Sequence, residues 1–182
     1  CWMLNIRGND IESTPVSYAF AVVTEDEVVY YVDKAKVTDE VEKYFIEAKV
    51  TLKGYNDIEK DLEDLKDKKI WVNLRSFNTS FYSHLDSSNQ IINEDSPVVL
   101  FRAIKNETEL TNTINAHIKD GVAMVRFLYW LKHNIQTVPM TERSAEDKLL
   151  SFREEQEGFI EPSFHTISAY KGNAAMMHYT AN

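Results

Sequence analysis

The feature that most constrains this chain is a capped apolar stripe in its second half. Asn106-Glu-Thr-Glu109 sets an Asn three residues before a Glu. That is the spacing of a capping box, in which two side chains satisfy each other's orphan backbone donors at a helix start. Behind it Leu110, Ile114, Ile118, Val122, Val125 and Tyr129 recur every three or four residues, and Asn134 supplies a stop. This spacing predicts one long helix with a continuous apolar face. A second helix is predicted to begin near Thr141, to carry Ala145, Leu149 and Phe152 on one side, and to end before Gly158.

The first half has a different texture. Residues 16–24 and 27–33 are rich in Val, Tyr and Phe and are separated by a polar Thr24-Glu-Asp26 turn, which predicts an antiparallel hairpin. Thr38 caps a helix carrying Val41, Tyr44, Phe45 and Ala48. A short strand follows over 50–52, then a helix from Asn56 or Asp57 with Ile58, Leu62 and Leu65 on one face. Strands over 70–74 and 90–92 flank a short helix over 79–85. This order implies a mixed α/β (α+β) fold, a sheet flanked by helices. Ser96-Pro97 is the best boundary, so one domain is expected over roughly 1–96 and the beginning of a second over 97–182. The opening Cys1-Trp-Met-Leu-Asn-Ile6 reads as the middle of a strand, which is expected of a piece of a longer protein.

Charge and composition exclude several classes. A net charge of −9 argues against nucleic acid as a partner, because a phosphate backbone demands a basic face. The cluster Lys66 to Lys69 is interrupted by Asp67 and reads as a solvated turn. No apolar run has the length of a membrane span, so no membrane partner is expected. A single cysteine, Cys1, excludes a disulfide within the chain and suits a reducing compartment.

The candidate chemistry rests on histidine. There are five: His84, His117, His133, His165 and His178. None pairs with another at the spacing of a helical metal site. His117 borders the apolar stripe in a packed or capping role, His133 sits near a helix C-terminus where a cation meets the dipole favourably, and His84 carries no signal. Carboxylates lie mostly on helix surfaces, and no strand carries the spaced Asp and Glu of a two-metal site. Arg7-Gly8-Asn9-Asp10 reads as a tight turn in which Gly8 supplies backbone freedom. Ser163-Phe-His to Met177-His-Tyr179 reads as two short strands joined at Lys171-Gly-Asn173, with His165 and His178 near the far ends of the hairpin. Spacing alone leaves two roles open for His178: a half-buried strand residue, or a group facing a cleft.

Several unconnected stretches, in one order, resemble the Xaa-Pro aminopeptidases (aminopeptidase P). Trp2-Met-Leu-Asn-Ile-Arg-Gly-Asn-Asp-Ile11 and Pro15-Val-Ser-Tyr-Ala19 resemble the middle domain of the long, three-domain form. The likeness resumes at Arg102-Ala-Ile-Lys-Asn-Glu-Thr-Glu109, Ala116-His-Ile-Lys-Asp-Gly-Val-Ala123 and Phe127-Leu-Tyr-Trp-Leu131. It continues through Thr141-Glu142, Phe152-Arg-Glu-Glu-Gln156, Ser163-Phe-His-Thr-Ile-Ser168 and Asn173-Ala-Ala-Met-Met-His-Tyr179. Only about 31–98 lacks a distinctive match.

The resemblance implies a creatinase-like, non-catalytic middle domain followed by the first part of a pita-bread metallopeptidase domain. Its implied activity is removal of the N-terminal residue from peptides with proline in second position. Two divalent metal ions, usually manganese, are implied in the parent enzyme, together with a cytoplasmic setting and a homodimer. His178 takes the family's substrate-binding position, where an imidazole donates to the scissile peptide or its tetrahedral intermediate. His165 stands where relatives commonly have proline. The family's metal ligands lie downstream of the segment that ends at His178, so the 182 residues are expected to bind no metal and to be inactive alone. The competing reading is a non-catalytic pita-bread module that binds peptide or protein.

Overall fold

The computed structural model describes residues 1–181. Its packing divides the chain into two compact units, one made of Cys1–Ile11 with Pro15–Ile104, the other of Glu12–Thr14 with the chain from Lys105 onward.

The first unit is built around β2 (Val28–Val32), the middle strand of a three-stranded sheet. β1 (Ala19–Val23) runs antiparallel to it, with Ala21 opposite Tyr30, as the hairpin signal predicts. β3 (Val50–Gly54) pairs with its other edge in parallel, Tyr30 opposite Leu52. Because β2 is covered on both faces, its sequence is an unbroken apolar run rather than an alternating one. The period of two still sorts its side chains. Val29 and Tyr31 face a core with Ile58, Leu62 and Phe81, while Tyr30 and Val32 face another with Phe45.

The helices follow their caps. Thr38 accepts a hydrogen bond from the Val41 amide and opens α1 (Asp39–Glu47), whose Phe45 is 1% exposed. Asn56 precedes α2 (Asp57–Glu63), which supplies Ile58 and Leu62, and Asn78 caps α3 (Thr79–His84), which supplies Phe81. β4 (Lys69–Val72) and β5 (Gln90–Asn93) form a separate two-stranded parallel sheet. The expected single sheet is therefore split in two. Ser96 caps α4 (Pro97–Ala103), with the first unit running on to Ile104.

Two local expectations for this unit fail. Trp2–Leu4 is a 3-10 turn ending on Asn5 at φ +50°, not a strand interior. Residues 6–9 form no turn, and Gly8 has no left-handed backbone. The glycine is needed for another reason: a Cβ there would sit 2.8 Å from Ser17 Cβ, Ser17 N and the Val16 carbonyl carbon. What looked like freedom to turn is close approach of two chain segments.

In the second unit, α5 (Glu107–Asn134) begins with the full capping box, Asn106 Oδ1 to the Glu109 amide and Glu109 Oε2 to the Asn106 amide, each 2.9 Å. α6 (Glu142–Glu154) begins with another, made by Thr141 and Ser144. The two helices pack through Ala123, which is fully buried, and through buried Leu149 and Phe152. Polar and ionic contacts flank that seam: Asp120 to Arg153 at 2.7 Å, Arg126 to Glu155 at 2.5 Å, and Lys119 Nζ to the Glu157 carbonyl at 2.6 Å. The Arg126 guanidinium lies 4.5 Å from the Phe152 ring centroid. Lys119, Ala123 and Arg126 are each one residue, about 100° of helix rotation, from the apolar stripe that the sequence displays, and Asp120 is two residues from it. The stripe itself is open: Ile114, Ile118, Val125 and Tyr129 are 59–67% exposed.

Candidate functional site

The chain after α6 contains no strand among the described residues. Residues 159–170 run without regular structure, Lys171–Ala175 is a 3-10 turn, and Met177 and His178 form a turn. The expected hairpin is absent for a visible reason. His178, expected within the second strand, adopts left-handed backbone, φ +54°, outside the β region, and Lys171–Ala175 coils into a 3-10 turn where that strand would begin. The Tyr170 amide, a donor that a ladder would use, goes instead to the Glu142 carboxylate on α6.

That carboxylate organises the segment. Glu142 is the first residue of α6, capped by Thr141, so the helix start fixes its backbone. Its Oε1 accepts from the Tyr170 amide at 2.5 Å and its Oε2 accepts from the Tyr179 hydroxyl at 2.6 Å. The Asn173 side-chain amide reaches both oxygens at 3.1 Å and also donates to the Tyr179 oxygen at 3.0 Å. The Tyr179 hydroxyl and the Tyr170 amide hold the Glu142 carboxyl below the usual carboxylate range, and the same carboxylate pushes the Tyr179 phenol up. An ionised acceptor and a neutral phenol donor are the forms this geometry stabilises.

His178 sits in the middle of this arrangement without joining it. It is exposed and makes no hydrogen bond or ion pair among the described residues. Its two neighbours contrast: Met177 is 91% exposed, while Tyr179 is half-buried and tied to Glu142. His165 is not brought to His178 as a hairpin partner; its Nε2 lies 3.4 Å from Glu12 with both side chains largely exposed. His117 and His133 each bond the carbonyl four residues earlier on α5, at 2.8 Å, and His133 also stacks on Tyr129. His84 meets Glu63 at 2.7 Å at the end of α3. These roles are structural.

Sequence reasoning noted Glu142 only in the Thr141-Glu142 pair of the family resemblance and missed it as an organiser. Nothing local distinguishes it, because its partners lie 28 to 37 residues away. Among the described residues no group of three or more His, Cys, Asp and Glu is placed to hold a metal ion. These residues do not fit the metal pair that the resemblance implies. A cleft of about 690 Å³ in the first unit lies over Ile6, Val32, Val41 and Phe45. Of its four charged lining residues, Arg7, Asp10, Lys36 and Glu40, the pair Asp10 and Lys36 already meet at 2.7 Å.

Comparison with known proteins decides the family. Residues 1–109 match the creatinase/prolidase N-terminal domain, more than half of the chain. The chain belongs to that family. Residues 112–182 match metallopeptidase family M24. Xaa-Pro aminopeptidase 1 of Dictyostelium discoideum is 36% identical over 184 residues, covering 98% of this chain and 29% of that protein. Aminopeptidase P1 of Arabidopsis thaliana is 34% identical, covering 98% of this chain and 35% of the relative. The crystal structure of an X-prolyl aminopeptidase from Caenorhabditis elegans, described as a cytosolic enzyme with a di-nuclear active site, superposes with a TM-score of 0.90. It shares 26% identity over 98% of this chain and 30% of its own. The chain thus spans about a third of the length of the relatives it matches. The mixed α/β reading and the aminopeptidase P resemblance both stand. No helix among the described residues is long and apolar enough to cross a membrane.

Proposed function

We infer that this chain forms the substrate-side portion of a metal-dependent Xaa-Pro aminopeptidase, with His178 as the residue that meets the peptide. The division is a non-catalytic creatinase-like domain over about 1–96 and the first part of the pita-bread domain from about 97. The observation that carries the role of His178 is its display: an exposed imidazole with no partner among the described residues, in a turn whose next residue is tied to α6. An imidazole held there is free to donate to a substrate carbonyl, and the donation strengthens as negative charge develops on that oxygen. The relatives supply the substrate class, peptides with proline in second position. The parent enzyme on this reading carries two divalent ions, manganese first among them, and works as a cytoplasmic homodimer. The ligands for those ions are not supplied by the residues described above, and the role given to His178 does not pass through them.

The test is made in the complete polypeptide, at the length of its relatives. His178→Ala should lower kcat/KM on a Xaa-Pro peptide by about 10²- to 10³-fold, the range for losing one donor to a developing oxyanion, with the thermal midpoint unchanged. Activity within a few-fold of wild type would overturn the assignment. The 182-residue chain alone, given manganese and the same peptide, should show no turnover.

A further inference from the structure

We propose that Glu142 is a positioning residue, whose carboxylate fixes the turn that displays His178 by accepting hydrogen bonds from Tyr170, Asn173 and Tyr179. This rests on the role given to His178 above.

A glutamate at a helix start has an ordinary role. It favours the N-terminal dipole and otherwise remains hydrated. Glu142 instead gathers a backbone amide, a side-chain amide and a phenol, all from one segment. Tyr170 and Tyr179 are the two ends of a ten-residue stretch and meet on a single carboxylate, so the stretch is closed like a loop on a clasp. Asn173 lies inside the loop and braces the clasp from within, because its amide donates to both carboxylate oxygens and to the Tyr179 oxygen. His178 occupies the position immediately before the clasped Tyr179, with a left-handed backbone that a residue bearing a Cβ adopts at some cost. Since His178 has no bond of its own among the described residues, the restraint on its ring is taken to act through the backbone on either side. On the C-terminal side that restraint is the Tyr179–Glu142 hydrogen bond at 2.6 Å.

The chemistry of the clasp dictates which substitutions test it. A carboxylate presents acceptors only, and all three of its partners are donors. Gln at this position has nearly the same shape but points an amide donor at other donors. Asp keeps the charge and loses one methylene, so it cannot span the same set of partners from the helix start. The Tyr179 hydroxyl both donates to Glu142 and accepts from Asn173, so Tyr179→Phe opens the same clasp from the other side.

Two measurements on the complete polypeptide decide the matter. The Tyr170 amide should exchange slowly with solvent in the wild type, and at least about ten-fold faster in Glu142→Gln, as expected for a bond that is the amide's only protection. On a Xaa-Pro peptide, Glu142→Gln and Tyr179→Phe should each lower kcat about 10- to 100-fold, the cost of misplacing a catalytic group by about an ångström. KM and the thermal midpoint should move little. The double variant Glu142→Gln/His178→Ala should be no slower than His178→Ala alone, because a positioning residue has nothing left to position. A merely structural glutamate would instead lower the midpoint and add its effect to that of His178→Ala, and that outcome overturns the proposal. Wild-type kcat in Glu142→Gln, with His178→Ala crippled, would overturn it while leaving the role of His178 intact. Full activity in His178→Ala would remove that role and the positioning claim with it.

Discussion

Replacing Tyr31 by Phe removes one hydroxyl from the central strand of the first unit and leaves the ring in place. Tyr31 is 1% exposed, and its hydroxyl donates to Asp61 Oδ2 on α2 at 2.6 Å. Lys53 on β3 donates to the same oxygen at 2.6 Å, so one carboxylate ties β2, β3 and α2 together. A hydrogen bond to a charged group contributes about 1.5–3 kcal/mol. The Asp61 side chain keeps 26% exposure and the lysine, which places Tyr31→Phe at the low end, about 1.5 kcal/mol. Asp61→Ala does more harm. It loses the same bond and strands a buried hydroxyl, a further penalty of about 1–3 kcal/mol, for a total near 3 kcal/mol. The double variant carries no stranded hydroxyl, so its loss should fall to about 1.5 kcal/mol rather than the sum of about 4.5, a coupling of about 3 kcal/mol. Urea titration of the four proteins by far-UV circular dichroism measures this, with unchanged m-values as the control. Additivity within about 0.5 kcal/mol would refute the claim that the hydroxyl depends on Asp61.

The same trio sets a pH window. Desolvation alone would raise Asp61, but the hydrogen bonds from Lys53 and Tyr31 outweigh it and leave the carboxyl below its usual value. A depressed carboxyl contributes stability that is present above its unfolded pKa, about 3.9, and is lost as pH falls through the folded value. The Asp61 hydrogen bond raises Lys53, and burial, then Asp61, raises the Tyr31 phenol. Their contributions are present below their unfolded values, about 10.4 and about 10, and fade as pH rises through the folded ones. The stability difference between wild type and Asp61→Ala should therefore be flat from about pH 5 to about pH 9 and shrink on both sides.

Two further substitutions probe features that are not obvious from the sequence. Gly8→Ala drives a methyl group into the backbone of Val16 and Ser17 and should cost about 1–3 kcal/mol, read from the urea midpoint; a neutral result would mean that the two segments can separate. Phe152→Ala should cost about 3–5 kcal/mol. Phe152→Leu keeps the apolar bulk and gives up the contacts of the Arg126 and Lys148 cations with the ring, about 0.5–1 kcal/mol each; no loss in Phe152→Leu would remove cation–π attraction from the account of the α5–α6 seam.

What could be read from the sequence was whatever is decided within a few residues. Thr38, Asn106 and Thr141 cap their helices because the side chain and the amide it bonds lie three positions apart. The hairpin of β1 and β2 is set by its own turn, where Thr24 bonds back to Glu27. The failures are non-local. Trp2–Leu4 has a strand's composition but no strand beside it to pair with, and it closes on itself through the Leu4 amide and the Cys1 carbonyl. Parallel pairing of β3 to β2 and of β5 to β4 leaves no mark in either partner's sequence. The apolar stripe of α5 was real as a pattern, yet α6 took the neighbouring face, because burial of Ala123 and three flanking polar and ionic contacts set the seam one residue away.

The candidate site divides along the same line, and α6 shows why. A capping box needs a residue at the third helical position to reach back to the cap. In α5 that residue is Glu109, whose carboxylate is spent on the Asn106 amide 2.9 Å away. In α6 the same task falls to the Ser144 hydroxyl, 2.9 Å from the Thr141 amide. Glu142 stands at the first helical position of α6, outside that box, with a fixed backbone and a carboxylate that the cap does not use. A carboxylate in that state is available to a distant segment, and the distant segment here is the one carrying His178. The role proposed for His178 could be drawn from the residues around it, since they form a continuous motif. Its proposed orientation could not, because that depends on a glutamate one helix away, whose partners lie 28 to 37 residues further along the chain.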